Sequence, residues 1–317
     1  MTTDASGMQS SGVDPDMKVL IAVATAHRPE ELGRLLRALA DSYGSREDTH
    51  LLVVDNDAGG SSQPAVDEWA QKFGDRVRYV VEPERGYASV RNAVLRNVGD
   101  AERIVFIDDD EVPGDGWLDS LLEACERHGA DVVAGPVKSI FPSGAPEWFE
   151  RSGVFTMESP EFEEGHEMPW CATNNTVIRR HVIDAVPGGF DRKFDRMSGE
   201  DSDFFLRARL AGCRIVWTKE ATVCEYLQPE RLRSRWVFRR AIRSGNSRAL
   251  VELDLLRSPS VLAKRGAKAV GLITVGIAER LLGALRGDKA MSLRGIHRVG
   301  SGYGMLRAFA VSEPWAP

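Results

Sequence analysis

From residue 18 onward, short β-branched apolar runs alternate with longer stretches in which apolar residues recur every three or four positions. The runs KVLIAVAT, HLLVVDND, RVRYVVE, RIVFID and DVVAGPV predict strands. Between them PEELGRLLRALADSY, with Pro29 in its first turn, QPAVDEWAQKF, YASVRNAVLRNV and WLDSLLEACERHG predict helices. Strands joined by helices of about 10–15 residues build βαβ units and a mainly parallel sheet. Ligands of such sheets sit beyond the carboxyl ends of the strands. Polar motifs fall at those ends: Thr25 to Arg28, Asp55 to Asp57, Glu82 to Gly86, and Asp108 to Glu111.

From Pro136 to Pro169 the pattern breaks into a segment with five prolines. Long irregular segments in compact domains are commonly functional. WCATNNTVIRR then predicts a strand, PGGFD a turn, GEDSDFFLRARLAG a helix and CRIVWT a strand, and after Pro229 the chain reads as helical. The apolar run Ala269 to Ala278 is too short to cross a bilayer, which takes about 20 residues. It reads as a buried helix or as an interfacial amphipathic one.

Charge sharpens this division. The net charge is −6, but from Pro229 to the end 17 Lys and Arg face 6 Asp and Glu, so this segment is +11 and the rest −17. Such a tail either pairs with the acidic body or meets an anionic partner. The start, MTTDASGMQSSGVDPDM, lacks a basic and then apolar signal pattern and reads as a disordered leader. Four widely spaced cysteines, Cys125, Cys171, Cys213 and Cys224, and six scattered histidines suggest neither a disulfide framework nor a metal cluster. Reduced thiols fit a cytoplasmic protein.

The chemistry concentrates in Asp108, Asp109, Asp110 and Glu111. Two bare carboxylates about 5 Å apart repel by roughly 3 kcal/mol at an effective dielectric of about 20. Protonation, exposure to water or a cation must relieve them. The first strand is followed neither by a dinucleotide-binding glycine fingerprint nor by a phosphate loop, so hydride transfer and P-loop phosphoryl transfer lose support. Carboxylates at several strand ends suit a hard divalent cation, Mg²⁺ or Mn²⁺.

The ordered fragments ATAHRPEEL, VVDND, RGYASVRNAVL, FIDDDEVP, TNNTVIRR, GGFDRKF and GEDSDFFLRARLAG resemble a family 2 glycosyltransferase of GT-A fold, over roughly Lys18 to Gly245. The resemblance implies an α/β, Rossmann-like sheet flanked by helices, with residues 1–17 a leader, 18–228 the nucleotide-sugar domain and 229–317 a helical basic extension. It implies metal-dependent, inverting transfer of a sugar from a nucleotide-diphosphate donor to an acceptor hydroxyl. Asp108 and Asp110 take the D-x-D positions, near the ribose and on the metal. Asp109 lies in the same run, which leaves open the direct ligand. Asp55 would accept from a uracil or thymine imide, with Thr25 and Arg28 lining that pocket and Arg91 bracing it. Asp201, with Glu200 as alternative, would be the general base. Where many relatives carry histidine this chain has Glu225, a metal ligand or a surface residue. Arg235, Trp236 and Arg239 become candidates for the diphosphate, and Trp170, Asn174 and Asn175 for the acceptor.

Two other functions compete. A sugar-phosphate nucleotidyltransferase would want a glycine-rich basic loop after the first strand, which ATAHRPEEL lacks. A non-catalytic sugar-nucleotide binding module would tolerate loss of the Glu200–Asp201 pair, which is present. The expected partners are a nucleotide-diphosphate sugar and a glycan, lipid-linked or small-molecule acceptor, with no nucleic acid. The basic extension is expected to hold the protein peripherally on an anionic membrane surface, at the inner face of the cell membrane.

Overall fold

The computed structural model describes residues 18–158 and 162–310, so the leader at residues 1–17 lies outside the described residues. The first half follows the alternation: β1 Val19–Thr25, α1 Pro29–Tyr43, β2 Thr49–Asp55, α2 Gln63–Phe73, β3 Val77–Val81, α3 Tyr87–Arg96 and β4 Arg103–Asp108. Then come β5 Glu111–Pro113, α4 Trp117–His128, β6 Val132–Ala134, β7 Val137–Ile140, α5 Glu147–Arg151, α6 Val154–Glu158, β8 Asn175–Arg179, α7 His181–Ala185, α8 Glu200–Leu210, β9 Ile215–Trp217 and β10 Val223–Tyr226. Three long helices close the chain: α9 Ser234–Leu256, α10 Pro259–Arg286 and α11 Lys289–Ala310.

The central sheet has the order β3-β2-β1-β4-β8-β6-β9. Its strands read as near-continuous apolar runs because both faces are covered. Leu20 and Ala22 of β1, Leu52 of β2 and Ile104 of β4 belong to one buried cluster, shared with α3 and α8. Their neighbours Val19, Ile21, Val53 and Val105 belong to the other, with α1 and α4. Alternate residues of a strand point to opposite faces, so one short apolar segment feeds both cores.

The sheet is mainly parallel, as expected, with two features the alternation did not indicate. β8 runs antiparallel to β4 and β6, so the sheet is mixed. The run DVVAGPV is split at Gly135–Pro136, and β7 joins a second sheet of order β5-β10-β7. A side chain at Gly135 would lie 2.8 Å from Asn175 Nδ2, so the crossing between sheets has room only for glycine. This second sheet pairs Glu225 with Glu111 in register.

Register also places the site. Thr25 is opposite Asp55, and Ala24 opposite Asp108, so the ends of β1, β2 and β4 lie at one level. The C-terminal helices pack onto this frame. Phe194 and Leu206 share an apolar cluster with Ala249, Leu250, Ala269 and Met305, and Phe149 and Phe155 share another with Val237 and Leu293. Among the described residues no helix is long and apolar enough to cross a membrane.

Candidate active site

The loop leaving β1 sets the first wall. His27 adopts a positive φ of 56°, uncommon for a residue with a side chain, and its Nδ1 lies 3.2 Å from Asp57 Oδ2. The next residue, Arg28, thereby faces the end of β4. Its Nη1 lies 3.0 Å from Asp109 Oδ1 and 3.2 Å from Asp110 Oδ2, while Thr25 Oγ1 donates to Asp109 Oδ2 at 2.8 Å. From the other side Arg231, in the 3₁₀ turn Pro229–Arg231, reaches Asp110 Oδ2 at 2.9 Å and also pairs with Glu225.

Five carboxylates, Asp108, Asp109, Asp110, Glu111 and Glu225, thus meet two guanidinium groups. Burial, and after it the remaining repulsion, favours their protonated forms. Burial, opposed by Arg91 and reinforced by Asp110 and Asp109, raises Asp108 to about 7. Burial raises Asp109 to about 6 against the pull of Arg28, and buried Glu111 is held well above the ordinary carboxyl range, first by desolvation and then by Asp108. Asp108 is only half-buried and Glu111 Oε2 accepts from its backbone N–H at 3.0 Å. An oxygen-only donor set this rich in negative charge fits a hard divalent cation, with Asp108 and Asp110 as the residues that could hold it.

A second cluster lies alongside. Gly199 precedes α8 at a φ of 135°, where side chains are disfavoured, and a Cβ there would stand 2.8 Å from the Phe194 ring. Its N–H donates to Glu200 Oε2 at 2.9 Å. Arg91, buried on α3, lies 3.1 Å from Glu200 Oε1 and 3.1 Å from Asp201 Oδ1, and donates to Thr173 Oγ1 at 2.7 Å. Thr173 in turn donates through its hydroxyl to Asp201 Oδ1 at 3.1 Å. Burial alone would lower Arg91, but Asp201 and Glu200 more than offset it and raise it. Glu200 is pushed up by burial and by Asp201. Asp201 is the more open carboxylate, its side chain 18 % exposed against 5 % for Glu200. It is close enough to add to the rise of Asp108, so the two clusters share one field.

Neighbouring motifs hold this arrangement. Asp195 Oδ1 and Oδ2 accept from Ser89 N–H and Oγ–H at 2.7 and 2.9 Å, fixing the first turn of α3. Asn92 bonds both polar backbone groups of Phe190, tying α3 to the PGGF turn. Asp203 pairs with Arg207, its Oδ2 accepting from Nε at 2.8 Å, and so stays outside the base cluster.

Several expected residues take other parts. Asp55 is fully buried and accepts from Asp57 N–H, Ser62 N–H and Tyr79 O–H at 3.1, 2.9 and 2.7 Å, so it braces its own loop instead of offering a free acceptor to a nucleobase. The uracil or thymine preference expected from it loses its observation. Asn175 is also internal: Trp117 Nε1 donates to its Oδ1 at 2.7 Å, and its Nδ2 donates to Pro136 O and Ala221 O at 3.0 and 2.7 Å, so it joins the two sheets and does not face an acceptor. Asn174 Nδ2 donates to Glu111 Oε1 at 3.3 Å, which puts it beside the carboxylates. Trp170 is half-buried with the Arg248 guanidinium 4.8 Å from its ring centroid. Trp236 stacks on Phe155 with ring centroids 5.9 Å apart, while Arg235 and Arg239 are exposed. Of the basic residues in this stretch, Arg231 reaches the carboxylates, through Asp110 and Glu225.

Arg231 and Thr173 were not legible as site residues. Arg231 is one of several arginines in its stretch, and only the turn at Pro229 and the pairing of β5 with β10 aim it at Asp110. A different group, Asp131, His181 and Cys213, gathers three donor atoms within 4.8 Å of one another. It lies at the N-terminal ends of β6 and β9, opposite the carboxylates, with His181 Nε2 2.9 Å from Asp131 Oδ1 and Arg214 N–H donating to Asp131 Oδ2 at 2.7 Å. It is unrelated to the β4 end.

Residues 20–186 match the sequence profile of Glycosyl transferase family 2. The chain is similar to succinoglycan biosynthesis protein ExoM of Rhizobium meliloti, 34 % identical over 253 residues, covering 78 % of this chain and 81 % of that protein. It is also similar to glucosyl-dolichyl phosphate glucuronosyltransferase of Haloferax volcanii, 26 % identical over 283 residues, covering 84 % and 86 %. In fold it resembles a mannosyltransferase from Pyrobaculum calidifontis solved with GDP-Man and Mn²⁺, with a TM-score of 0.61 at 17 % identity over 93 % of this chain and 89 % of that one.

Proposed function

The chain belongs to glycosyltransferase family 2 and has the GT-A fold, and from that premise we propose that it inverts the anomeric carbon of a nucleotide-diphosphate sugar while transferring it to an acceptor hydroxyl. The observation that carries this reading is the pair of adjoining clusters, carboxylates short of cations at the end of β4 and a guanidinium-braced Asp201 beside them.

In the proposed reaction the acceptor oxygen forms a bond to the anomeric carbon as the bond to the diphosphate breaks. Asp201 takes the hydroxyl proton; general-base assistance of this kind is typically worth about 10²- to 10⁴-fold. Arg91 and Thr173 hold Asp201 in place, and Glu200, pushed up by burial and by Asp201, lies beside it. Arg28 and Arg231 bear on the diphosphate. Mg²⁺ or Mn²⁺ held by Asp108 and Asp110 would neutralise charge on the leaving diphosphate. Residues 18–228 carry this machinery, with Arg231 added by the extension.

The similarity to a succinoglycan biosynthesis protein supports a place in polysaccharide or glycoconjugate assembly. Four free cysteines support a cytoplasmic location, and the basic extension supports placement at the inner membrane face. Calorimetric titration with UDP-, dTDP- and GDP-sugars in Mn²⁺, followed by slow hydrolysis, tests the donor assignment. One donor class should bind and turn over; binding by none of them would remove the proposed UDP-, dTDP- or GDP-sugar donor.

A further inference from the structure

We infer that the outward face of α10 seats the protein on an anionic lipid bilayer, with the helix lying in the plane of the headgroups. This gives the proposed membrane-side placement its surface and is independent of the donor chemistry.

The inward face of α10 is fixed by small residues. Ala269, Gly276 and Gly283 are buried and spaced seven apart. A Cβ on Gly276 would lie 2.8 Å from Gly295 O, and one on Gly283 2.7 Å from Ser292 N, so the backbones of α10 and α11 meet closely and α10 cannot roll. The opposite face is therefore held outward. There Val270, Val275, Ile277, Leu281, Leu282 and Leu285 are exposed, Leu285 by 84 %, Leu281 by 60 % and Val270 by 57 %. From Ala269 to Ala278 the helix carries no charge at all, although it is the outer side of a surface helix, where polar residues are the rule. The residues 267–285 extend about 28 Å along the axis.

The rim identifies the occupant. Lys264 and Lys268, before the uncharged run, and Arg286, after it, are exposed, while Arg280 is turned toward α11 with its Nη1 3.4 Å from Ser292 Oγ. The acidic residue of α10, Glu279, lies 3.1 Å from Arg298 and is offset by it. An uncharged centre between basic borders complements a bilayer with anionic headgroups, into which such helices sink about 5–10 Å. A second copy of this chain packed on the same face would bring like-charged rims together. Because Ala269 shares its cluster with Phe194 and Leu206, which adjoin Gly199 and α8, a docked α10 holds the base-bearing helix at a fixed height above the lipid.

The test is co-sedimentation of the full chain with vesicles of phosphatidylcholine alone or with about one third phosphatidylglycerol, at about 0.05 M and 0.5 M salt. The wild type should sediment with the anionic vesicles at low salt and much less at high salt. Leu281→Asp with Leu285→Asp should weaken binding at least tenfold with unchanged thermal unfolding. Lys264→Glu with Lys268→Glu should weaken binding to anionic vesicles at low salt several-fold. Leu285→Trp should blue-shift its emission on anionic vesicles, reporting burial of that position. Absence of anionic-vesicle binding by the wild type would overturn the inference. So would a wild-type dimer that the double aspartate variant converts to monomers. Nucleoside diphosphate binding by the aspartate variant, measured alongside, should match wild type, which separates failure here from failure of the transferase reading.

Discussion

The two carboxylate clusters differ in how their charge is balanced. At the end of β4 five carboxylates face Arg28 and Arg231, and burial together with their mutual repulsion pushes Asp108, Asp109 and Glu111 above the ordinary carboxyl range. At the start of α8 two carboxylates face one buried guanidinium, and Thr173 and Gly199 N–H complete their hydrogen bonds. The first cluster holds more carboxylates than guanidinium groups, and in the proposed reading a divalent cation offsets the difference. The second is hydrogen-bonded throughout, so it holds Asp201 in a fixed position. In the proposed reading the first cluster changes when the donor arrives and the second is fixed beforehand.

Substitutions separate the two. The largest effect is expected from Asp201→Asn, which should lower kcat about 10²- to 10⁴-fold and leave donor affinity nearly unchanged, since the amide keeps the shape but cannot take the proton. Normal turnover in that variant with a dead Glu200→Gln would exchange the roles of the two residues. Arg91→Met should cost about 3–5 kcal/mol of unfolding free energy in a urea titration, because it strands the α8 carboxylates in a buried site. Wild-type stability there would mean that the α8 cluster does not depend on Arg91. Asn175→Ala strands Trp117 Nε1 and should cost about 1–3 kcal/mol without altering acceptor KM. A raised KM at wild-type stability would return Asn175 to the acceptor site.

The smallest effect is in pH. Asp108 and Asp109, raised in the folded protein, hold protons that the unfolded chain has already released. Their contribution to stability is full below the ordinary aspartate range and is lost as pH rises through about 6 to 7. A bound cation favours the carboxylates, so binding releases protons and Mn²⁺ affinity should rise roughly tenfold between about pH 6 and 7.5. Affinity independent of pH over that range would place the ion elsewhere.

The alternation of strands and helices was legible, and helices such as Pro29–Tyr43 and Gln63–Phe73 lie where their apolar spacing puts them. The second sheet was not, because its strands are three or four residues long and Glu111–Pro113 continues an acidic run that reads as loop. The D-x-D run and the Glu200–Asp201 pair stand out as local sequence. Arg231 and Thr173 do not, since each reaches its carboxylate across a separation set by sheet register. Asp55 and Asn175 show the opposite failure: both lie in polar motifs at the site, yet their hydrogen bonds are internal.

In the proposed reaction the β4 cluster is short of a cation, which accompanies the donor. Titrating a nucleoside diphosphate into the wild type and into Asp110→Asn, each in Mn²⁺ and in excess chelator, tests it directly. The wild type should bind at least tenfold more tightly in Mn²⁺ than in chelator, and Asp110→Asn should lose most of that difference. Equal affinity in Mn²⁺ and in chelator for the wild type would contradict the account.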